Sequence, residues 1–249
     1  MRGLPLFLLV LTVAFNARSQ YSKTIETDRP GEGKSAFVQS FKSFQAEFGL
    51  QQSKEGTDAH IFLHPEFTLR YGITNWLEGR MQSNVRTEKY GKEKQTGLEP
   101  LRIGVKALLT KGSTVIPHIS LLLQAGIPFL ATKDFQPPHI APNARLLFQN
   151  EITDQFNITY NIGAEWDGYS TNPEYVFSIS PEYLIAEKIQ LFAELYGFAE
   201  QHESARTTVD AGIGYLLNDD VKIDFNAGWG ISSNASDHFY AVGLSIRLK

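Results

Sequence analysis

The 249-residue sequence predicts an all-β protein, an antiparallel transmembrane β-barrel of about twelve strands. Three observations carry this. Apolar and polar residues alternate through one strand-length segment after another. No apolar run beyond the first twenty residues is long enough to cross a bilayer as a helix. The connections between segments are polar, and they are short at one end and long at the other.

The alternation is clearest from His60 to Val85. Ile61, Leu63, Pro65, Phe67, Leu69, Tyr71 and Ile73 form one row, with His60, His64, Glu66, Thr68, Arg70 and Gly72 opposite and Phe62 the one apolar intruder. Beyond a tight turn at Thr74-Asn75, Leu77, Met81 and Val85 oppose Glu78, Arg80, Gln82 and Asn84. Successive strand side chains point to opposite faces, so each segment has one greasy and one polar face. A soluble sheet shows this pattern in places. A membrane barrel must show it throughout, because every lipid-facing residue has to be apolar.

The chain divides into three. Arg2, the apolar run Leu4 to Phe15 and Ala17-Arg18-Ser19 read as a signal peptide over residues 1–19, which directs export to the outer membrane. Residues 20–34 form a polar lead-in with Pro30 and two glycines and no period of two. Residues 35–249 form the barrel. Of 23 basic and 27 acidic side chains, removal of Arg2 and Arg18 leaves 21 against 27, and this acidic balance argues against a nucleic-acid partner. With no cysteine there is neither a disulfide framework nor a thiolate metal site.

In order, the first strand runs near Phe37 to Gln51 with Gln45, Glu47 and Gly49 inward, and the hairpin above supplies the second and third. The fourth (near Glu99 to Thr110) turns Arg102, Gly104 and Lys106 inward, and the fifth His118, Ser120 and Gln124. The sixth (near His139 to Asn150) turns His139, Asn143, Arg145 and Gln149 inward, although Pro142 cannot donate to the ladder. The seventh has the cleanest lipid face, Phe156 to Trp166, against Asn157, Thr159, Asn161, Gly163 and Glu165. The eighth sets Tyr175 to Tyr183 against Ser178, Ser180 and Glu182, and the ninth (Ile189 to Phe198) is mixed, with Phe192 and Tyr196 beside Gln190 and Glu194. The last three turn Asp210, Lys222, Asp224, Asn226 and Arg247 inward. Short turns fall at Thr74-Asn75, Lys111-Gly112, Thr153-Asp154, Ala186-Glu187 and Asn218-Asp219, whereas 52–58, 86–98, 129–138 and 167–174 are longer loops. Both termini then lie on the short-turn side. Tyr71, Trp166, Tyr175, Tyr183, Tyr215, Trp229 and Tyr240 stand near strand ends, where aromatic girdles meet the membrane interface.

Thr27-Asp28-Arg29-Pro30, then Gln45, Glu47 and Gly49, then Leu69 to Asn75 leading into Leu77-Glu78-Gly79-Arg80, then Gly104-Val105-Lys106 and Gly126-Ile127-Pro128 make an ordered set over nearly the whole mature chain. The set resembles the outer-membrane transporter-like barrels of the MetA-pathway of phenol degradation family. That resemblance implies a small-molecule channel, in a family some of whose members are encoded beside genes for aromatic degradation.

The inward residues Glu66, Arg70, Glu78, Arg80, Arg102, Lys106, His118, Arg145, Glu165, Glu182, Glu194 and Asp210 are the expected lumen-lining solute path. Bases dominate the early strands and acids the later ones, so two charged walls would set a field across the pore. The alternative is that these charges pair and, together with the Gln20 to Lys34 lead-in, block a narrow interior, leaving a closed structural or assembly-partner barrel. His60, His64, His118 and His139 invite a metal, with His118 and His139 able to approach on adjacent strands. His60 and His64 lie about 13 Å apart along their own strand, so no metal site is assigned. No nucleophile sits in a motif with a matched base, which leaves an outer-membrane lipid hydrolase or acyltransferase as the last alternative and no enzyme activity as the reading. No cofactor is implied. The expected partners are outer-membrane lipid and a small solute, with aromatic and anionic molecules as candidates, acting on a monomer.

Overall fold

A computed structural model describes residues 22–249 apart from 57 and 114, and the expected signal peptide lies outside these residues. The chain forms β1 (Phe44–Glu55), β2 (Ala59–Gly72), β3 (Leu77–Tyr90), β4 (Glu93–Leu98), β5 (Leu101–Thr110), β6 (His118–Ile127), β7 (Ala141–Glu151), β8 (Phe156–Glu165), β9 (Glu174–Ile185), β10 (Ile189–Glu200), β11 (Arg206–Asn218), β12 (Val221–Gly230) and β13 (His238–Leu248). All neighbours are antiparallel. The sheet closes where β1, already paired with β2, also pairs with β13 from Phe44↔Leu248 to Lys54↔His238. Of the thirteen strands, the short β4 has its ladder only with the outer end of β3, and the other twelve are the staves of a closed barrel. Closure leaves no ladder edge facing lipid, which is the condition for crossing a bilayer with strands.

The burial pattern is inverted relative to a soluble protein. Leu50, Ile162 and Trp229 are 53%, 58% and 51% exposed, whereas Glu47, Arg70, Glu78 and Lys106 are buried to 1% or less. Lipid covers the outer residues, and the lumen buries the charges. The girdle residues Tyr71, Tyr175, Tyr183, Tyr215, Trp229 and Tyr240 are all exposed on the outer face.

Three departures from the sequence expectation have local causes. The first stave begins at Phe44, not near Phe37. Lys42 takes a positive φ of 65° and breaks the chain away from the lumen, so the alternation of Phe37, Gln39 and Phe41 belongs to a different element. The expected loop after residue 86 is an ordered hairpin. The β3 ladder continues to Tyr90↔Glu93, and Gly91, at φ 59°, makes the reversal. Most consequential is a bulge in β2 between Leu63 and Glu66, where His64 and Pro65 together oppose a single position of β1. An extra residue inverts the facing of everything beyond it. Ile61 and Leu63 therefore turn inward, Ile61 opposite buried Ser53 and Leu63 opposite Gln51, while Phe62 and His60 point outward. The apolar intruder is lipid-facing after all.

If lipid rather than protein covers the outer face, Ile162→Lys near the centre of β8 should lower unfolding free energy in lipid vesicles by about 2–4 kcal/mol. Ile162→Leu should be near neutral. Denaturant titration measures both, and equal stabilities would contradict the assigned face.

Candidate functional site

The lumen is occupied by the chain's own N-terminal segment, which extends past the expected end of the lead-in at residue 34. Residues 22–43 enter at the short-turn end, rise to a tip at Arg29 to Gly33 and return to begin β1. Entry is clamped by Arg247, which donates to the carbonyl oxygens of Ser22, Lys23 and Thr24 at 3.1, 2.9 and 3.1 Å. Ile25 N–H donates to Asp219 O at 2.7 Å, and on the return Lys42 N–H donates to Gly72 O at 2.8 Å. We call this segment the hairpin plug.

Its main anchor is Asp28. Cross-strand register places Arg70 directly opposite Arg80, a repulsive pair if left alone. Glu78 lies between them. Its Oε1 accepts from Arg70 Nε and from Arg80 Nη1, both at 2.9 Å, and its Oε2 accepts from Arg70 Nη2 at 2.9 Å. Glu47 Oε1 accepts from Arg70 Nη1 at 3.0 Å. The wall thus presents three cations, Arg70, Arg80 and Lys106, against two anions, Glu47 and Glu78. The plug supplies the third anion. Asp28 pairs with Arg80 Nη2, lies 3.5 Å from Lys106 Nζ and 3.7 Å from Arg70 Nη1, and its backbone N–H donates to Glu47 at 3.0 Å.

The rest of the plug is held all round. Arg29 pairs with Glu66 at 2.6 Å and Asp224 at 3.4 Å, lying over Gly49 and Gly243, where a Cβ would collide with the guanidinium. Glu32 pairs with Arg145 at 2.6 Å, and Arg145 also reaches Glu165 at 3.0 Å. Glu194 accepts the backbone N–H groups of Glu32 and Gly33, both at 2.7 Å. On the return limb Ala36 packs against Leu122 and Leu147, and Phe37 lies 4.6 Å from the His118 ring. Basic and acidic walls therefore do not face each other across open water, as the sequence suggested; the plug stands between them and pairs with both.

Above the tip is a cavity of about 240 Å³ open toward the long loops. Its floor is Asp28 to Lys34 of the plug, and its walls include Arg145, Glu66, Asn143, Tyr196, Phe198 and Phe239. Tyr196 and Phe198 stand edge to face with centroids 6.0 Å apart, and the Arg206 guanidinium lies 5.8 Å over Phe198. Below the tip, between the plug and the wall of β8 to β12, lies a smaller pocket of about 40 Å³, lined in part by Glu26, Glu182, Glu194 and Lys222. That is room for no more than a few waters.

The structure thus brings Glu66, Arg70, Glu78, Arg80, Lys106, Arg145, Glu165 and Glu194 onto the plug or onto groups that hold it. Arg102 is further off, 3.9 Å from Glu165 and 38% exposed. Glu182 borders the small space below the tip, and Asp210 accepts from Asn226 at 2.8 Å. His118 lies at the opposite end from the chamber, 3.1 Å from Glu151. Its expected approach to His139 does not occur: β6 starts at His118 and ends beside β7, just after His139, so the two lie at opposite ends of a stave, about 27 Å apart. His60 points outward, and His64 sits in the bulge, exposed, 2.7 Å from Thr87 Oγ1. Among the described residues no group of three or more potential ligands could hold a metal. Sequence reasoning missed Asp28, Arg29 and Glu32 as site residues, and Glu47, Lys222 and Asp224 as their partners. The unbalanced wall was the available signal.

Two plug carboxyls respond to pH in opposite senses. Burial opposes ionisation of Asp28, but Arg80, Lys106 and Arg70 outweigh it and hold the carboxyl well below its usual 3.8. Its contribution to docking is present above about pH 4 and is lost as pH falls through the lowered value. Burial and then the neighbouring Glu182 push Glu26 up from 4.5 to about 7. The docked plug keeps a proton there that a released plug would lose, so docking weakens as pH rises from about 4.5 to about 7.

The sequence model of the family described as the MetA-pathway of phenol degradation matches residues 27–248. No curated protein sequence matches. Among solved structures, an outer-membrane channel from Pseudomonas putida F1 superposes with a TM-score of 0.67 at 10% identity, over 88% of this chain and 99% of that one. The NanC porin gives 0.59 at 12% identity over 82% and 100%, and the KdgM porin in complex with disordered oligogalacturonate 0.55 at 11% over 83% and 99%. At these identities the likeness is one of fold.

Because the chain has no cysteine, Ser35→Cys reports plug release by thiol labelling. Adding Asp28→Asn leaves buried cations uncompensated and should loosen docking by about 3–5 kcal/mol, a rise in labelling rate of about a hundredfold or more. An unchanged rate would show that the ion cluster does not hold the plug. Labelling relative to a Glu26→Gln background, which cancels the reagent's own pH dependence, should rise between pH 5 and pH 8; a flat ratio would remove Glu26 from the release equilibrium.

Proposed function

The chain belongs to the MetA-pathway of phenol degradation family, and on that footing we propose that it is a gated outer-membrane channel for a small aromatic solute. The external chamber carries this reading. Its charged lining comprises Arg29, Lys34, Arg80 and Arg145 against Asp28, Glu32, Glu47 and Glu66, four of each sign, so it has no net preference for anions. Its distinctive surface is instead the ring faces of Tyr196, Phe198 and Phe239. A cavity of about 150 Å³ is enough for benzene, so about 240 Å³ holds one ring with a polar substituent. The flanking ion pairs would orient that substituent, and the aromatics would stack or meet the ring at an edge. The family's association with phenol degradation accords with this class of solute.

Passage requires the plug to move, because it is bonded to staves on every side of the lumen and the pocket below its tip holds only about 40 Å³. Release of the Asp28 and Glu32 pairs opens the path, leaving Arg70, Arg80, Lys106, Arg145, Glu165, Glu182, Glu194 and Asp210 as its lining. Residues 1–19 are on this view removed at export, and the barrel acts as a monomer. One observation favours a second reading, a closed structural barrel: the plug is bonded to staves on every side of the lumen.

Planar-bilayer recording separates the two. The channel reading expects small, intermittent conductance that Asp28→Asn increases. Joining Ser35→Cys to Gln149→Cys, whose native side chains meet at 3.0 Å, with a short thiol cross-linker should abolish conductance until the link is cleaved. A silent wild type together with a silent Asp28→Asn barrel would establish the closed reading. Conductance that survives the cross-link would place the path elsewhere.

A further inference from the structure

The outer surface carries a basic row that the lumen does not explain. Five consecutive neighbours across the sheet are basic: His238 on β13 opposite Lys54 on β1, Lys54 opposite His60 on β2, His60 opposite Lys89 on β3, and Lys89 opposite Lys94 on β4. All five are on the outward face. Lys54 is in phase with exposed Leu50 and Phe48 on β1, and His238 is opposite exposed Trp229. The β2 bulge brings His60 into this row; without it the imidazole would face the lumen.

Like charges directly opposite one another on a sheet destabilise it, and Lys89 and Lys94 are such a pair. Among the described residues none of the three lysines has an ion pair within 4 Å, and His60 Nδ1 has no hydrogen-bond partner. Glu55 and Glu88, the chain neighbours of Lys54 and Lys89, fall on the inward-facing alternation and are engaged by Ser236 and Arg86. The row's depth is also defined. One outward position below it stand Tyr240 and Phe62, and Lys89 Nζ lies 5.4 Å over the Phe62 ring. A step of two residues is about 7 Å, which sets the cations just outside the aromatic girdle, at headgroup level. The row is confined to one side, since the outward residues at the long-loop ends of β8 to β11 include Trp166, Tyr175, Ala199 and Thr207, none of them charged.

We propose that this row binds the phosphate groups of an anionic glycolipid in the outer leaflet. Neighbouring strands are about 4.8 Å apart, so the row spans about 19 Å. That is long enough for two separated phosphates on one headgroup, with lysine ammonium groups as point charges and imidazole N–H groups as donors. Acyl chains would lie on the apolar staves below, against Leu50 and Val242.

The test uses the full barrel in detergent micelles with bis-phosphorylated lipid A as probe, dephosphorylated lipid A as control, and native mass spectrometry to count retained lipid. Wild-type protein should retain the phosphorylated form at least tenfold better. Lys54→Gln, Lys89→Gln and Lys94→Gln together should abolish that preference, whereas Lys42→Gln, Lys111→Gln and Lys188→Gln at the short-turn end, an equal loss of charge, should preserve it. Heat-modifiable gel mobility confirms that each variant is folded. Equal retention of both lipids by wild type, or loss of preference in both triple variants alike, would overturn the assignment. Preference for inorganic phosphate over the glycolipid in competition would also overturn it, since the site would then be one for a free anion.

Discussion

The interior of this barrel is organised by one electrostatic constraint: the wall formed by β1, β2, β3 and β5 contains one more buried cation than anion. Arg70, Arg80 and Lys106 are fully or almost fully removed from water, and Glu47 and Glu78 neutralise only two of them. An uncompensated charge in such a site costs several kcal/mol. Asp28 removes the deficit, and it comes from the plug, which is not a stave. The plug is therefore no passive filler, because the wall around Arg70 is incomplete without it. The same design recurs at lower cost at Arg145, which takes Glu32 from the plug and Glu165 from the wall.

Seen from outside, stability has another origin. The described residues contain almost no conventional core; the one buried apolar cluster, Ala36 with Leu122 and Leu147, joins the plug to the wall. Lipid serves as the apolar phase for the staves, and closure of β1 on β13 satisfies the backbone. These separate sources let the two surfaces evolve different tasks. Lipid contact needs only greasiness and girdles, so the lumen can carry dense charge as long as each group is paired.

The staves were legible because lipid enforces alternation without exception, as in β8 from Phe156 to Ala164. The inward set was legible by the same rule, and Arg70, Glu78, Lys106 and Arg145 lie where their parity puts them. Two things were not. Parity cannot detect an inserted residue, and Pro65 passes for a lipid-facing member of its row, so the bulge that turns His60 outward is silent; Phe62, out of phase, was its only trace. A polar segment without a period is equally consistent with a surface lead-in and with a lumen plug, and only the charge deficit of the wall distinguishes the two. Phe37, Gln39 and Phe41 mimic a strand because the return limb is extended; what ends it is the conformation of Lys42, which lysine does not announce.

The plug's partners also bear on how the molecule is built. Arg29 bonds to Asp224, 195 residues away, and Ser22 to Arg247, 225 residues away. Contacts of such separation form late, after the intervening chain has been ordered. The plug thus finds its complete seat only when β12 and β13 are in place and the seam with β1 has closed. A barrel whose seam is still open offers only part of this seat, and so holds the segment from one side only. Docking in this way reports completion: the plug is secured by the last two staves to join the seam with β1.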